Sequence, residues 1–120
     1  MGYGYDLYPA EERHHPLPQT DQQSGKLRPA LVVRKLPSRY EDWLISMVSS
    51  QLSQEIPGFD EIVSPDDPDF KDSGLKLTSL IRVGRLAVVN VDLLLGKIGQ
   101  IGEVRLTRIR QKLSEWILST

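Results

Sequence analysis

Three arginines and a pair of hydroxyls stand within or beside apolar, β-rich runs. Arg28 opens RPALVVRK, Arg82 and Arg85 flank Gly84 in LIRVGRLA, and Ser49-Ser50 close ISMVSS. A guanidinium is planar, stays charged and can hold two phosphate oxygens at once. A serine hydroxyl can bond the same kind of oxygen. Taken by residue type alone, each arginine also fits a solvated strand position, and each hydroxyl an ordinary strand end.

Other chemistry-bearing groups carry less. His14 and His15 are adjacent, so on an extended chain they face apart and make a poor metal pair. Asp66-Asp67-Pro68-Asp69 is dense in carboxylates but lacks the alternating ligands, central glycine and closing glutamate of a calcium loop. It reads as a solvated acidic loop. Arg105, Arg108, Arg110 and Lys112 read as the solvated face of a helix, with contact to RNA or an acidic protein as the functional alternative. With no cysteine, disulfides, thiol catalysis and cysteine-ligated zinc are excluded.

Charge is uneven along the chain. Asp60, Glu61, Asp66, Asp67, Asp69 and Asp72 face only Lys71, a local sum of −5 that leaves +4 for the rest of a chain of net charge −1. A local basic surface is therefore compatible with an acidic total. The 120 residues suit a single domain spanning 1–120 with one modest core, which pairing with a second copy would enlarge. No apolar run approaches a membrane span, and the start lacks a signal-peptide pattern, so a cytoplasmic protein is expected.

The elements that must position these groups are mostly strands. Residues 1–27 read as loop with a short strand near Tyr3–Leu7. Arg28–Lys35, Asp42–Ser49, Asp60–Ser64, Leu77–Val83 and Arg85–Asn90 read as strands, the last two separated by Gly84. From Glu103 to Leu118 the apolar residues Leu106, Ile109, Leu113, Trp116 and Ile117 mark one helical stripe, with Trp116 expected in the core. A small bent antiparallel sheet or barrel with a C-terminal helix follows.

The segments Pro16–Asp21 and Ser24–Val33, then Ile45–Gln51, Leu80–Ala87 and Gly96–Gly99 followed by the helix, together resemble the toxins of the PemK/MazF family over residues 16–118. The resemblance implies a mainly β fold, an SH3-like (CcdB/PemK-like) small antiparallel barrel with a C-terminal α-helix. It implies a homodimer neutralised by a cognate antitoxin. It also implies an endoribonuclease that cuts single-stranded RNA with no metal or other cofactor.

Carried over residue by residue, the resemblance makes Arg28 a catalytic phosphate clamp. It puts Ser49 in the place of a catalytic threonine and makes Arg82 a phosphate ligand. Thr20, Gln22, Gln23, Ser24 and Lys26 fall on the family's loop over the RNA groove, and Arg85 would add charge. Two departures stand out. Gly84 occupies the position of a family aspartate proposed as general base. The segment Pro9–His15 is too polar to supply the family's first strand, which is expected to be absent, displaced to Tyr3–Leu7 or replaced by a misassigned start. The alternative is a catalytically impaired module that dimerises and binds antitoxin or RNA. A gyrase poison of the CcdB-like type lacks support, because the chain ends Trp-Ile-Leu-Ser-Thr.

Overall fold

The computed structural model describes residues 6–11, 27–94 and 96–119. Among these residues six strands form one antiparallel sheet: β1 (Asp6–Glu11), β2 (Leu27–Lys35), β3 (Asp42–Ser49), β4 (Glu61–Val63), β5 (Ser79–Asn90) and β6 (Gly99–Gln100). Their spatial order is β4-β5-β3-β2-β1-β6. One helical turn, α1 (Phe70–Ser73), precedes β5, and α2 (Glu103–Leu118) closes the chain.

Central position explains composition. Strands β2 and β3 lie inside the sheet and are buried on both faces, so they read as nearly continuous apolar runs. Leu31, Val33, Val48, Ile81 and Val83 point to the face covered by α2, where Leu106, Ile109 and Leu113 meet them. Ala30, Val32, Trp43, Ile45 and Met47 form a second cluster with Leu94, joined by Ala87 and Val89.

Two register shifts curl the sheet. The first lies between Val32 and Arg34, where the Val33 carbonyl accepts from Arg110 Nε (3.0 Å) and Nη2 (2.7 Å) on α2. The second is larger. Strand β5 pairs with β3 as Ser46↔Leu86 and again as Val48↔Ile81, so Arg82–Arg85 stand against Met47 alone. Side chains satisfy the backbone freed there: Ser46 Oγ donates to the Val83 carbonyl at 3.1 Å, and the Val83 amide donates to Asp60 Oδ1 at 3.0 Å. Gly84 thus lies within one bent strand rather than between two. The bend lets the first residues of β5 pair with β4.

The first strand also differs from expectation. β1 takes Pro9, Ala10 and Glu11 from the polar segment and lies between β2 and β6, so it is not an open edge. Backbone pairing, rather than an apolar side-chain pattern, defines it. Pro9 and Pro29 face each other, which costs no ladder bond where the pair is of the non-hydrogen-bonded kind.

Candidate functional site

The bend in β5 brings together two of the sequence-derived arginines, while Arg28 and Ser49 do not line its cavity. Arg82, Gly84 and Arg85 line an open cavity of about 650 Å³. Met47, Ala87, Ile56, Phe59 and Trp116 supply its apolar lining. Arg82 is half-buried and Arg85 exposed. Among the described residues neither guanidinium has a carboxylate partner. Each remains a cation available to an outside anion.

Among the described residues Asp60 is the carboxylate in this cavity, and both its oxygens are occupied. Oδ1 accepts the Val83 amide, and Oδ2 accepts the Ile56 amide at 2.9 Å. It holds the bend and the Pro57-Gly58 turn in place. Gly84 is closed in by an aromatic ring: a Cβ there would come within 3.0 Å of Phe59 Cε2. An aspartate side chain there would press on the Phe59 ring, which meets Trp116 edge to face at 5.5 Å.

The remaining sequence-derived residues lie along the same sheet. Ser49 pairs with Leu80, and alternation along β5 puts Arg82 on the face of Leu80. The β2–β3 register Ala30↔Met47, continued by two residues, sets Arg28 across from Ser49 on the face of Met47. Arg28, Ser49 and Arg82 therefore share one face of three neighbouring strands. Arg28 is half-buried. The Ser49 hydroxyl accepts the Gln51 amide at 2.9 Å and makes a long contact of 3.4 Å with Gln54 Oε1, so it shapes the turn after β3. Thr20, Gln22, Gln23, Ser24 and Lys26 lie outside the described residues, as do His14 and His15.

The acidic segment and the helix cations are a correction to the sequence reading. Glu61, Asp67 and Asp69 pair with Arg105, Arg108 and Lys112, while Arg110 caps the Val33 carbonyl. Arg105, 8% exposed, donates to Asp69 Oδ2 (2.8 Å) and Oδ1 (3.0 Å), Glu61 Oε1 (3.0 Å), Asp67 Oδ2 (3.1 Å) and the Ile62 carbonyl (3.0 Å). Arg108 forks onto both oxygens of Glu61 at 2.7 and 2.8 Å, and Lys112 reaches Glu61 Oε2 at 2.7 Å. Asp69 also accepts the Gly102 amide at the start of α2, where a negative charge suits the helix dipole.

Burial works to raise the pKa of Glu61, but the hydrogen bonds and charges of Arg108 and Lys112 outweigh it. The pKa falls from 4.5 to about 2. The Asp69 carboxyl is held below its ordinary value by Arg105, against burial and with help from the Gly102 amide. A carboxyl depressed in the folded state stabilises the fold above its unfolded pKa, and that contribution fades as pH falls toward the folded value. Stability is therefore expected to drop between about pH 4.5 and about pH 2, by on the order of 3 kcal/mol through Glu61. Urea melts across that range check it, and Glu61→Gln should flatten the slope.

Trp116 is a second correction. It lies beyond Leu113, the last buried residue of the α2 stripe, and is 51% exposed at the cavity instead of in the core.

The family profile described as "PemK-like, MazF-like toxin of type II toxin-antitoxin system" matches residues 14–117. Two solved structures are similar in fold. One, described as an endoribonuclease in complex with its cognate antitoxin from Mycobacterial species, has 14% identity and a TM-score of 0.64, covering 96% of this chain and 94% of that one. The other, Mycobacterium tuberculosis toxin MazF-mt6, has 13% identity and a TM-score of 0.61, covering 96% of this chain and 99% of that one. No curated protein sequence matches the chain significantly. The curled antiparallel sheet capped by a C-terminal helix is thus the MazF-like fold that the resemblance implied. With a match across most of its length, the chain belongs to the PemK-like, MazF-like family of type II toxin–antitoxin toxins.

Proposed function

We propose that this toxin is an endoribonuclease that cleaves single-stranded RNA by attack of the ribose 2′-hydroxyl on the neighbouring phosphate, without a metal ion. It acts in the cytoplasm as a homodimer until its cognate antitoxin covers the site. The observation that carries this reading is the pair Arg82 and Arg85, which have no carboxylate partners among the described residues and line an open cavity at the bend of β5.

Attack by the 2′-oxygen builds a phosphorane with two negative charges, and fixed guanidiniums stabilise that charge as it develops. Arg82 is positioned for this by the bend. Arg28, across from Ser49 on the same sheet face, clamps the adjacent phosphate and can protonate the leaving 5′-oxygen. Ser49 contributes a hydroxyl once its long contact to Gln54 yields. Thr20, Gln22, Gln23, Ser24 and Lys26 read and hold the strand from the preceding loop. Among the described residues no carboxylate lining the cavity is free to take the 2′-proton, because Asp60 is anchored to backbone amides and position 84 is glycine, so that proton passes to solvent water. Charge stabilisation by arginine therefore bears most of the barrier reduction.

The direct experiment is incubation of purified protein with a long unstructured RNA in chelator. Cleavage leaving 2′,3′-cyclic phosphate ends is expected, with Arg28→Ala slowing it by roughly a hundredfold or more. RNA left intact by the parent, with antitoxin binding retained, would assign the chain to the non-catalytic binding module instead.

A further inference from the structure

The cavity holds an aromatic pair that the cleavage chemistry does not use. Phe59 and Trp116 meet edge to face, and Trp116 leaves half its surface to solvent in the cavity wall. Arg82 and Arg85 line the same cavity and have no carboxylate partner among the described residues. Asp60, the one carboxylate among the described residues that line it, is tied to backbone amides. An exposed aromatic face next to two available cations suits a ligand that is flat, aromatic and anionic. An unpaired nucleotide has all three properties, since its base stacks on aromatic rings and its phosphates meet arginine. An acidic peptide would use the cations but would gain less from a flat ring face.

We infer that the Phe59–Trp116 edge is a nucleobase-stacking subsite, which holds one unpaired base of the RNA while Arg82 and Arg85 take the flanking phosphates. The inference rests on the ribonuclease reading and adds to it the residues that grip a base. It also gives Gly84 a purpose. With no side chain there, the Phe59 ring can lie against the strand, so the position serves base binding instead of proton transfer.

The probe is a short 2′-O-methyl oligoribonucleotide, which lacks the attacking hydroxyl and cannot be cut by this route. Its binding is measured by fluorescence anisotropy, beside a series in which one base at a time is removed to leave an abasic sugar. For the parent, loss of one particular base is expected to weaken binding roughly tenfold. Trp116→Ala should weaken the intact strand by a similar factor and no longer distinguish the abasic strand, while Trp116→Phe restores both properties. Trp116 is half exposed, so these variants should fold, and circular dichroism checks that they do.

Equal binding of all abasic strands by the parent would overturn the subsite. So would unchanged affinity in Trp116→Ala. A shift of Trp116→Ala from dimer to monomer in sedimentation would give the aromatic edge to a second copy of the chain and would also overturn it. Cleavage of a long RNA is run in parallel. A parent that cuts RNA without base dependence loses only the subsite, whereas a parent that neither binds nor cuts loses the ribonuclease reading as well.

Discussion

Replacing Arg105 with methionine is expected to lower folding stability by about 3–5 kcal/mol. The guanidinium is 8% exposed and makes five hydrogen bonds, to three carboxylates and one backbone carbonyl. Desolvation opposes its charge, but Asp69, Glu61 and Asp67 outweigh that and push its pKa further up. Methionine fills part of the volume but leaves Asp69 facing only the Gly102 amide. Glu61 is less exposed to the loss, because Arg108 and Lys112 still hold it. The damage should therefore centre on the junction of Asp69 with the start of α2.

Arg105→Lys should recover little of this. An ammonium has three donors and no planar fork, so it cannot reproduce the two bonds to Asp69 and the shared bond to Ile62 together. For a domain of this size, the loss corresponds to a fall in Tm of roughly 10–20 °C. Thermal melts at low and high salt would check both the size and the cause. Arg105 and Glu61 are buried and Asp69 is largely covered, so most of the loss should persist at 1 M salt, where an exposed ion pair would be screened away. A fall of only a degree or two would mean that the network is a surface decoration.

The sequence displays some of this design and hides the rest. The bounds of α2 are legible because a one-sided apolar stripe runs its length and Gly102 precedes it. β2 and β3 are legible because central strands bury both faces and leave continuous apolar runs. Gly84 misleads: glycine within a strand pattern marks either a break or a bulge, and local sequence does not distinguish them. The decision is made by Ser46 and Asp60, which satisfy the bent backbone from 37 and 23 residues away. β1 was obscured for a similar reason, since its pairing with β2 and β6 is a backbone matter and its side chains carry no apolar pattern.

The site residues divide along the same line. Arg28, Ser49 and Arg82 could be singled out from local motifs, and strand register supplies their common face. The partners of Arg105 could not be. An acidic segment and a basic helix each look solvated when read alone, and only the fold shows that Glu61, Asp67 and Asp69 are neutralised by Arg105, Arg108 and Lys112. The charge tally did hold a signal, namely a local −5 followed by four cations on one helix. Trp116 failed for the opposite reason. It sits on the apolar stripe at the right spacing, but there it lines the open cavity at the bend of β5 instead of a closed core, so half of it stays exposed.

Arg82→Ala should leave the fold intact and reduce single-turnover RNA cleavage by roughly 10²–10³-fold. The two halves of this expectation come from the same geometry. Arg82 has no carboxylate partner among the described residues, so its removal breaks no internal ion pair, and the Tm should stay within a degree or two of the parent. Its guanidinium lies in the cavity at a bend anchored by Ser46 and Asp60, which fixes the strand on which it is carried. A cation held in place before the reaction stabilises the phosphorane without reorganising when charge appears.

Arg82→Lys separates charge from shape. It should keep much of the affinity for RNA, because one positive charge still faces the phosphate, but recover little of the rate, because an ammonium cannot hold two equatorial oxygens in one plane. The salt slope of binding should shrink by about 0.7 for alanine, the value for one phosphate contact on a single strand, and stay near that of the parent for lysine. An alanine variant that cuts within about threefold of the parent rate would remove Arg82 from the chemistry. A lysine variant as fast as the parent would show that charge alone suffices, and the fork geometry assigned to this arginine would be wrong.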